Sequence, residues 1–124
     1  MKNYFKTLFI LTISILFYVN LNSQSLPNII GSCNQITTQN ICTDYIGSIW
    51  NEAAIKSECQ NGFFSNQPCS KENLFGTCNR NRNNKFETFM NFYINGPLKI
   101  YPDKLKAVCE NTAGLQGVWI NVAP

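Results

Sequence analysis

The side chains with the most chemistry in this chain are its cysteines, Cys33, Cys42, Cys59, Cys69, Cys78 and Cys109. Thiols can hold a metal, cycle between dithiol and disulfide, attack a substrate or cross-link the chain, and their spacing separates these uses. No two stand as Cys-x-x-Cys, and none of the 124 residues is histidine. The zinc-finger, zinc-ribbon and thioredoxin-type patterns are therefore missing. The lack of histidine also removes Ser-His-Asp and Cys-His nucleophilic sites. An even number of cysteines in a short chain leaves structural disulfides as the expectation, with no metal and no cofactor.

The acids are the remaining reactive groups. Paired carboxylates could hydrolyse a glycoside, and the candidates are Asp44, Glu52, Glu58, Glu72 and Glu87. Most stand where a solvated helix or turn places an acid. Asp44, beside Tyr45 in a strand-like run, is expected to pair with Lys85 or Arg82. Gly31, Gly47 and Gly62 are isolated, so no glycine-rich phosphate loop is present. No enzymatic activity is expected.

The chain holds nine Phe, five Tyr and two Trp. In the run Lys85 to Tyr93, alternation places Phe86, Thr88, Met90 and Phe92 on one face and Glu87, Phe89, Asn91 and Tyr93 on the other. If helices cover the first face, Phe89 and Tyr93 form an open aromatic face for a protein partner, a glycan or an envelope surface. The alternative is a loop such as Asn95 to Tyr101 lying over Phe89.

The elements that position these residues follow from pattern. Gly31-Ser32-Cys33-Asn34 recurs as Gly76-Thr77-Cys78-Asn79, followed in each case by a polar stretch. Tyr45-Ile46-Gly47 is echoed by Tyr93-Ile94-Asn95-Gly96, Trp50 with Cys59 by Tyr101 with Cys109, and Gly62-Phe63-Phe64 by Gly117-Val118-Trp119. The order predicts two degenerate copies of one unit, about 31–70 and 76–122. Ile41 to Ile46 and Lys85 to Tyr93 read as strands. Asn51 to Gln60 reads as a helix with Ala54, Ile55 and Cys59 inward. Pro102 to Asn111 reads as a second, with Leu105, Val108 and Cys109 as its stripe and Gly114 beyond its end. Both helices lead into aromatic strands, Gly62 to Ser65 and Gly117 to Val122. The predicted fold is α+β: two β-β-α-β units, an antiparallel sheet with two helices on one face, stapled by disulfides.

The repeat narrows the bridges. Cys33 matches Cys78, Cys59 matches Cys109, and Cys42 and Cys69 have no counterparts, so those two are expected to pair. The other four join either within units (Cys33–Cys59, Cys78–Cys109) or across them (Cys33–Cys109, Cys59–Cys78). The first scheme closes shorter loops and is preferred.

At the N-terminus, Lys2 and Lys6 precede an apolar run from Thr7 to Val19 that Asn20 and Asn22 close. This is short of the ~20 apolar residues of a membrane span and has the layout of a secretory signal peptide over residues 1–25, leaving 26–124 as one domain. Ile30-Gly31-Ser32-Cys33 has the outline of a lipidation box. Cys33, however, lies fourteen residues past Val19, and lipidating it would leave five cysteines. After residue 25 the chain keeps eight Lys/Arg against seven Asp/Glu. So balanced a charge argues against a nucleic-acid partner. The basic cluster Asn79 to Lys85 is read as a solvated loop tip.

The chain resembles small cysteine-rich envelope and lipoprotein-like proteins of Gram-negative bacteria, including spirochaetes. The residues that carry the resemblance are Cys42-Thr43-Asp44-Tyr45-Ile46-Gly47-Ser48, Cys59 with Gly62-Phe63-Phe64, and Pro68-Cys69-Ser70 through Leu74-Phe75-Gly76-Thr77-Cys78. Tyr93, Cys109 and Gly117-Val118-Trp119 complete them. The group's usual form has Cys-Pro at Pro68-Cys69-Ser70 and a Tyr-rich strand where this chain has Phe. The resemblance implies a location and an architecture and carries over no catalytic residue. The expectation is an exported structural or binding module, periplasmic, outer-membrane-associated or extracellular, with its oligomeric state open. The alternative is a secreted inhibitor or toxin-like protein acting on another enzyme through the segment Gly62 to Cys69.

Overall fold

The computed structural model describes residues 27–114 and 117–122. The expected signal peptide lies outside them. The described chain runs β1 (Gly31–Gln35), α1 (Ile36–Gln39), β2 (Ile41–Tyr45), α2 (Glu52–Glu58), β3 (Phe63–Ser65), β4 (Leu74–Arg80), β5 (Thr88–Tyr93), α3 (Pro102–Asn111) and β6 (Val118–Asn121). The six strands form one antiparallel sheet in the order β3-β1-β2-β5-β4-β6. The fold is therefore α+β. Among the described residues no helix is long and apolar enough to cross a membrane.

Local chemistry accounts for the element ends. The Asn51 side chain accepts from the Ala54 N–H (3.0 Å) and caps α2. Pro102 occupies the first turn of α3, where its missing N–H costs nothing. The reversal between β1 and β2 is a single helical turn ending at Asn40, whose φ of 60° is one that asparagine tolerates better than most residues. The Asn40 side chain donates to the Tyr93 and Leu98 carbonyls (3.0 and 2.9 Å) and accepts from the Leu98 N–H (2.7 Å). It thereby ties the first hairpin to the loop after the second.

Two boundaries and one inward face differ from the sequence pattern. β5 begins at Thr88 rather than Lys85, because Asn81 and Asn83 adopt positive φ and draw Lys85 to Glu87 into the turn. The Glu87 carbonyl then accepts from Ile46 N–H, Gly47 N–H and the Trp50 indole. β4 extends further than a loop-tip reading of Asn79 to Lys85 allows: Asn79 is buried and Arg80 half-buried within the strand. Val108, placed in the inward stripe of α3, is exposed, and Leu105 and Cys109 carry the contact.

The bridges are Cys33–Cys59, Cys42–Cys69 and Cys78–Cys109, with Cα–Cα distances of 5.5, 5.9 and 5.8 Å. Each lies at the centre of its own small core. Cys33 packs with Tyr45 and Ile55, Cys78 with Phe92 and Cys109, and Cys42 with Cys69 and Tyr93. Ile55 is the one aliphatic side chain among the fully buried described residues. So little aliphatic burial leaves much of the stability to the cross-links, at about 2–4 kcal/mol each.

The strand register sorts side chains between the two faces of the sheet. Cys33 pairs with Thr43, Thr43 with Met90 and Met90 with Cys78, so these lie on one face together with Tyr45, Thr88 and Arg80. Ile55 of α2 packs on Cys33 and Tyr45, and Leu105 of α3 packs on Cys78 and Phe92. The opposite face carries Ser32, Cys42, Asp44, Phe89, Asn91 and Thr77. Tyr93 continues the Asn91 face, so Tyr45 and Tyr93 point to opposite sides of the sheet. A one-residue offset in a strand exchanges faces, and by register it is Phe92 that shares the Tyr45 face.

Candidate functional site

The Phe89–Tyr93 face is crossed by a strap, residues 66–71. Ser32 Oγ donates to the Gln67 carbonyl (2.7 Å), the Cys69 N–H donates to Asp44 Oδ1 (2.7 Å), and the Tyr93 hydroxyl donates to the Ser70 carbonyl (2.6 Å). The Cys42–Cys69 bridge adds a covalent tie. Tyr93 is 0% exposed, so it belongs to the anchor of the strap and presents no aromatic surface. The segment that covers this face is 66–71 rather than Asn95 to Tyr101.

Asp44 is the centre of the anchor. Its carboxylate also accepts from Asn91 Nδ2 (2.9 Å), and Asn91 Oδ1 accepts from the Thr77 hydroxyl (2.8 Å). It is fully buried and pairs with neither Lys85 nor Arg82. A carboxylate in a strand is satisfied here by backbone and amide donors. Desolvation raises its pKa above 3.8, against the lowering effects of Cys69, Asn91 and the Lys71 charge. Burial, with the Asp44 charge adding to it, pushes the Tyr93 phenol up to about 12. Asn79 is the exception on this face: its Nδ2 donates to Glu87 Oε1 (3.0 Å), while its buried Oδ1 has no partner.

Phe89 stands apart from Tyr93. It is half-buried at the floor of a groove of about 650 Å³, with Pro27, Ile29, Pro68 and Cys69 as apolar walls and Lys71 at the rim. The polar groups of Asp44 are turned into the strap, which leaves the groove a mainly apolar surface.

The opposite face holds a second cleft, of about 330 Å³, between the end of α2 and the turn after β4. Its floor is Thr43, Tyr45, Thr88 and Met90, and Trp50 and Phe86 stand over it. Glu58 and Arg80 also line it. The Tyr45 ring meets Trp50 edge-on, with ring centroids 4.8 Å apart. Burial raises the Tyr45 phenol pKa, the Glu58 charge raises it further and the Arg80 charge lowers it, so its hydroxyl lies within the fields of both. Of these residues the sequence pattern singled out only Glu58, as one of five candidate acids. The available signal was the alternation of Thr43 with Tyr45 and the β-formers around Thr88, which becomes a cleft only once register joins the two strands.

The carboxylates do not gather. Glu52 is paired with Lys56, Asp44 is sealed under the strap, and Glu58 is the one acid lining the cleft. Among the described residues no group of three or more acid or thiol side chains is placed to hold a metal ion. No family model, no curated protein and no solved structure matches this chain.

Proposed function

We propose that this chain is an exported, non-enzymatic binding module of the cell envelope or extracellular space, of the cysteine-rich type its sequence resembles, and that it takes an extended protein segment in the groove at Phe89. The observation that carries this is the placement of Phe89: a large aromatic side chain left half-open at the floor of a groove with apolar walls. Exposed apolar concavities of this kind are characteristic of partner sites. A glycan would need unpaired polar groups, whereas Asp44 beside Phe89 has its hydrogen bonds made internally. Structural disulfides form and persist in oxidising compartments outside the cytosol, which fits export. The test is a pull-down from envelope extract of the host with the oxidised protein. A protein retained by wild type and lost on Phe89→Ala is expected; retention that Phe89→Ala leaves unchanged removes the groove as the site.

The internal duplication belongs to the same reading. What supports it is the strand order, in which β3-β1-β2 and β6-β4-β5 run inward from the two edges to the central β2–β5 pair. The bridges Cys33–Cys59 and Cys78–Cys109 also join the same elements in each half. A Cβ on Gly31 would come within 2.9 Å of Phe64, and one on Gly76 would overlap the Trp119 ring, so each half needs a glycine under an aromatic ring. The unit is then a hairpin, a helix and a strand, with both longer helices on the Thr43 face and the strap added to the first copy.

A second reading, a secreted inhibitor, is favoured by one observation. The segment Gly62 to Cys69 follows Cys59 closely, ends in a bridged cysteine and carries Phe63 at 75% exposure. A rigid loop with one protruding aromatic suits insertion into an enzyme cleft. A protease panel tests it, with inhibition lost on Phe63→Ala as the supporting result and no inhibition as the opposing one.

A further inference from the structure

We propose that the cleft on the Thr43 face is a carbohydrate site sized for one pyranose ring, independent of the groove at Phe89. Thr43, Tyr45 and Thr88 are 8, 7 and 6% exposed, and all three line this cleft. Among the described residues their hydroxyls take part in no side-chain hydrogen bond. Arg80 Nε is buried and has no partner either. Buried polar groups in folded proteins are overwhelmingly hydrogen-bonded, and leaving one unpaired costs about 1–3 kcal/mol. Arg80 Nε is the one such buried group lining this cleft, and the Thr43, Tyr45 and Thr88 hydroxyls beside it open to the cleft, so the four together offer a polar surface that a ligand or water can complete.

The chemistry of the lining selects the ligand class. Glu58 offers only acceptors and Arg80 only donors, while each Thr or Tyr hydroxyl is both. The two formal charges balance, so the cleft does not favour an ion. A sugar hydroxyl is likewise donor and acceptor, and it can replace a bound water without losing that water's hydrogen bonds. Trp50 and Phe86 supply aromatic surface for the C–H face of a pyranose ring; Phe86 is 40% exposed and carries the Lys85 ammonium over its ring, 5.1 Å from the centroid. The volume of about 330 Å³ is that of roughly ten waters, enough for one ring and its first hydration partners. Gln35 and Asn81 stand at the edge with further amide groups. The indole N–H of Trp50 is committed to the Glu87 carbonyl (3.2 Å), which holds the ring in place.

The test is titration of the oxidised protein, as its host exports it, with glucose, galactose, mannose, N-acetylglucosamine and N-acetylgalactosamine. Binding is followed by saturation-transfer NMR and calorimetry, with free amino acids as a comparison set. At least one sugar is expected to saturate the protein. Thr88→Val and Arg80→Met should each weaken that binding tenfold or more, the loss expected for a hydrogen bond to a buried or charged group. Phe86→Ala, at an exposed position, should weaken it as well, and Phe89→Ala should leave it unchanged. The proposal is overturned if no sugar binds at concentrations on the order of 10 mM. It is equally overturned if binding survives Thr88→Val, Arg80→Met and Phe86→Ala, or if amino acids bind in place of sugars.

Discussion

On one face of the sheet Asp44, Asn91 and Thr77 bond one another and the strap; on the other, Thr43, Tyr45 and Thr88 line a cleft and bond no neighbouring side chain. By residue the exposures are close, 0–7% against 6–8%, but the cleft hydroxyls are open to solvent. The difference separates two uses of buried polarity. Where donors and acceptors meet each other, burial costs little net energy and fixes geometry: the Asp44 network fastens a segment with no secondary structure of its own. Where they meet no partner, the fold forgoes that stabilisation and keeps the groups available. The apolar groove at Phe89 borders the satisfied network, and the polar cleft holds the hydroxyls left open together with Arg80 Nε. The two faces would therefore recognise different chemistries.

The largest way to disturb this contrast is to cut the covalent tie of the strap. Cys42→Ala with Cys69→Ala opens a loop with a sequence separation of 27 residues, and should cost about 3 kcal/mol in denaturant unfolding. The Phe89 groove should open with it, while the Thr43 cleft, fastened by the other two bridges, stays intact.

Next in size is Asp44→Ala. It strands the Cys69 N–H and the Asn91 amide and should cost about 2–3 kcal/mol. Thr43→Val and Thr88→Val remove hydroxyls with no protein partner and should each stay within about 0.5 kcal/mol. Equal losses from Asp44→Ala and Thr43→Val would break the comparison between the faces.

Tyr93→Phe removes one hydrogen bond to the Ser70 carbonyl and should cost about 1 kcal/mol. It also changes the alkaline limb. The native phenol keeps its proton up to about 12, against an ordinary value of 10.0, so wild type loses stability as pH rises between them and the variant does not lose this part.

The smallest effect is read in acid. The Asp44 pKa is raised above 3.8 in the folded state, so the native protein binds that proton more tightly than the unfolded chain does. Stability from this group is gained as pH falls through the folded pKa toward 3.8 and is constant below that. Thermal unfolding of wild type against Asp44→Asn should shift in favour of wild type over that window. A difference that does not change with pH would show that the strap compensates for desolvation more fully than the burial of Asp44 implies.

Much of the framework was legible along the chain. The expected match of Cys33 with Cys78 and Cys59 with Cys109 left two schemes for those four cysteines, and the preferred one, with the shorter loops, is the one observed. Pro102, Asn51 and the alternation in β5 located their elements to within a few residues. Less legible was anything that depends on what lies over a face. Asn79 and Arg80 looked like turn residues in an Asn-rich run, yet they finish a strand, because the reversal falls at Asn81 and Asn83. Asp44 looked like half of a surface ion pair and is instead the buried anchor of the strap.

Taken alone, the amino-acid sequence narrowed the cysteine pairing to two schemes and located the alternation of faces within each strand and the two longer helices. These depend on contacts close in sequence and on side-chain period. Only the tertiary structure decided that Tyr93 is sealed while Phe89 is half-open, and that Thr43, Tyr45, Thr88 and Arg80 share one cleft. Those outcomes depend on strand register and on residues tens of positions apart coming to lie over one another. Register is set by the packing of the whole sheet, and a shift of one residue would have exchanged every group between the two faces.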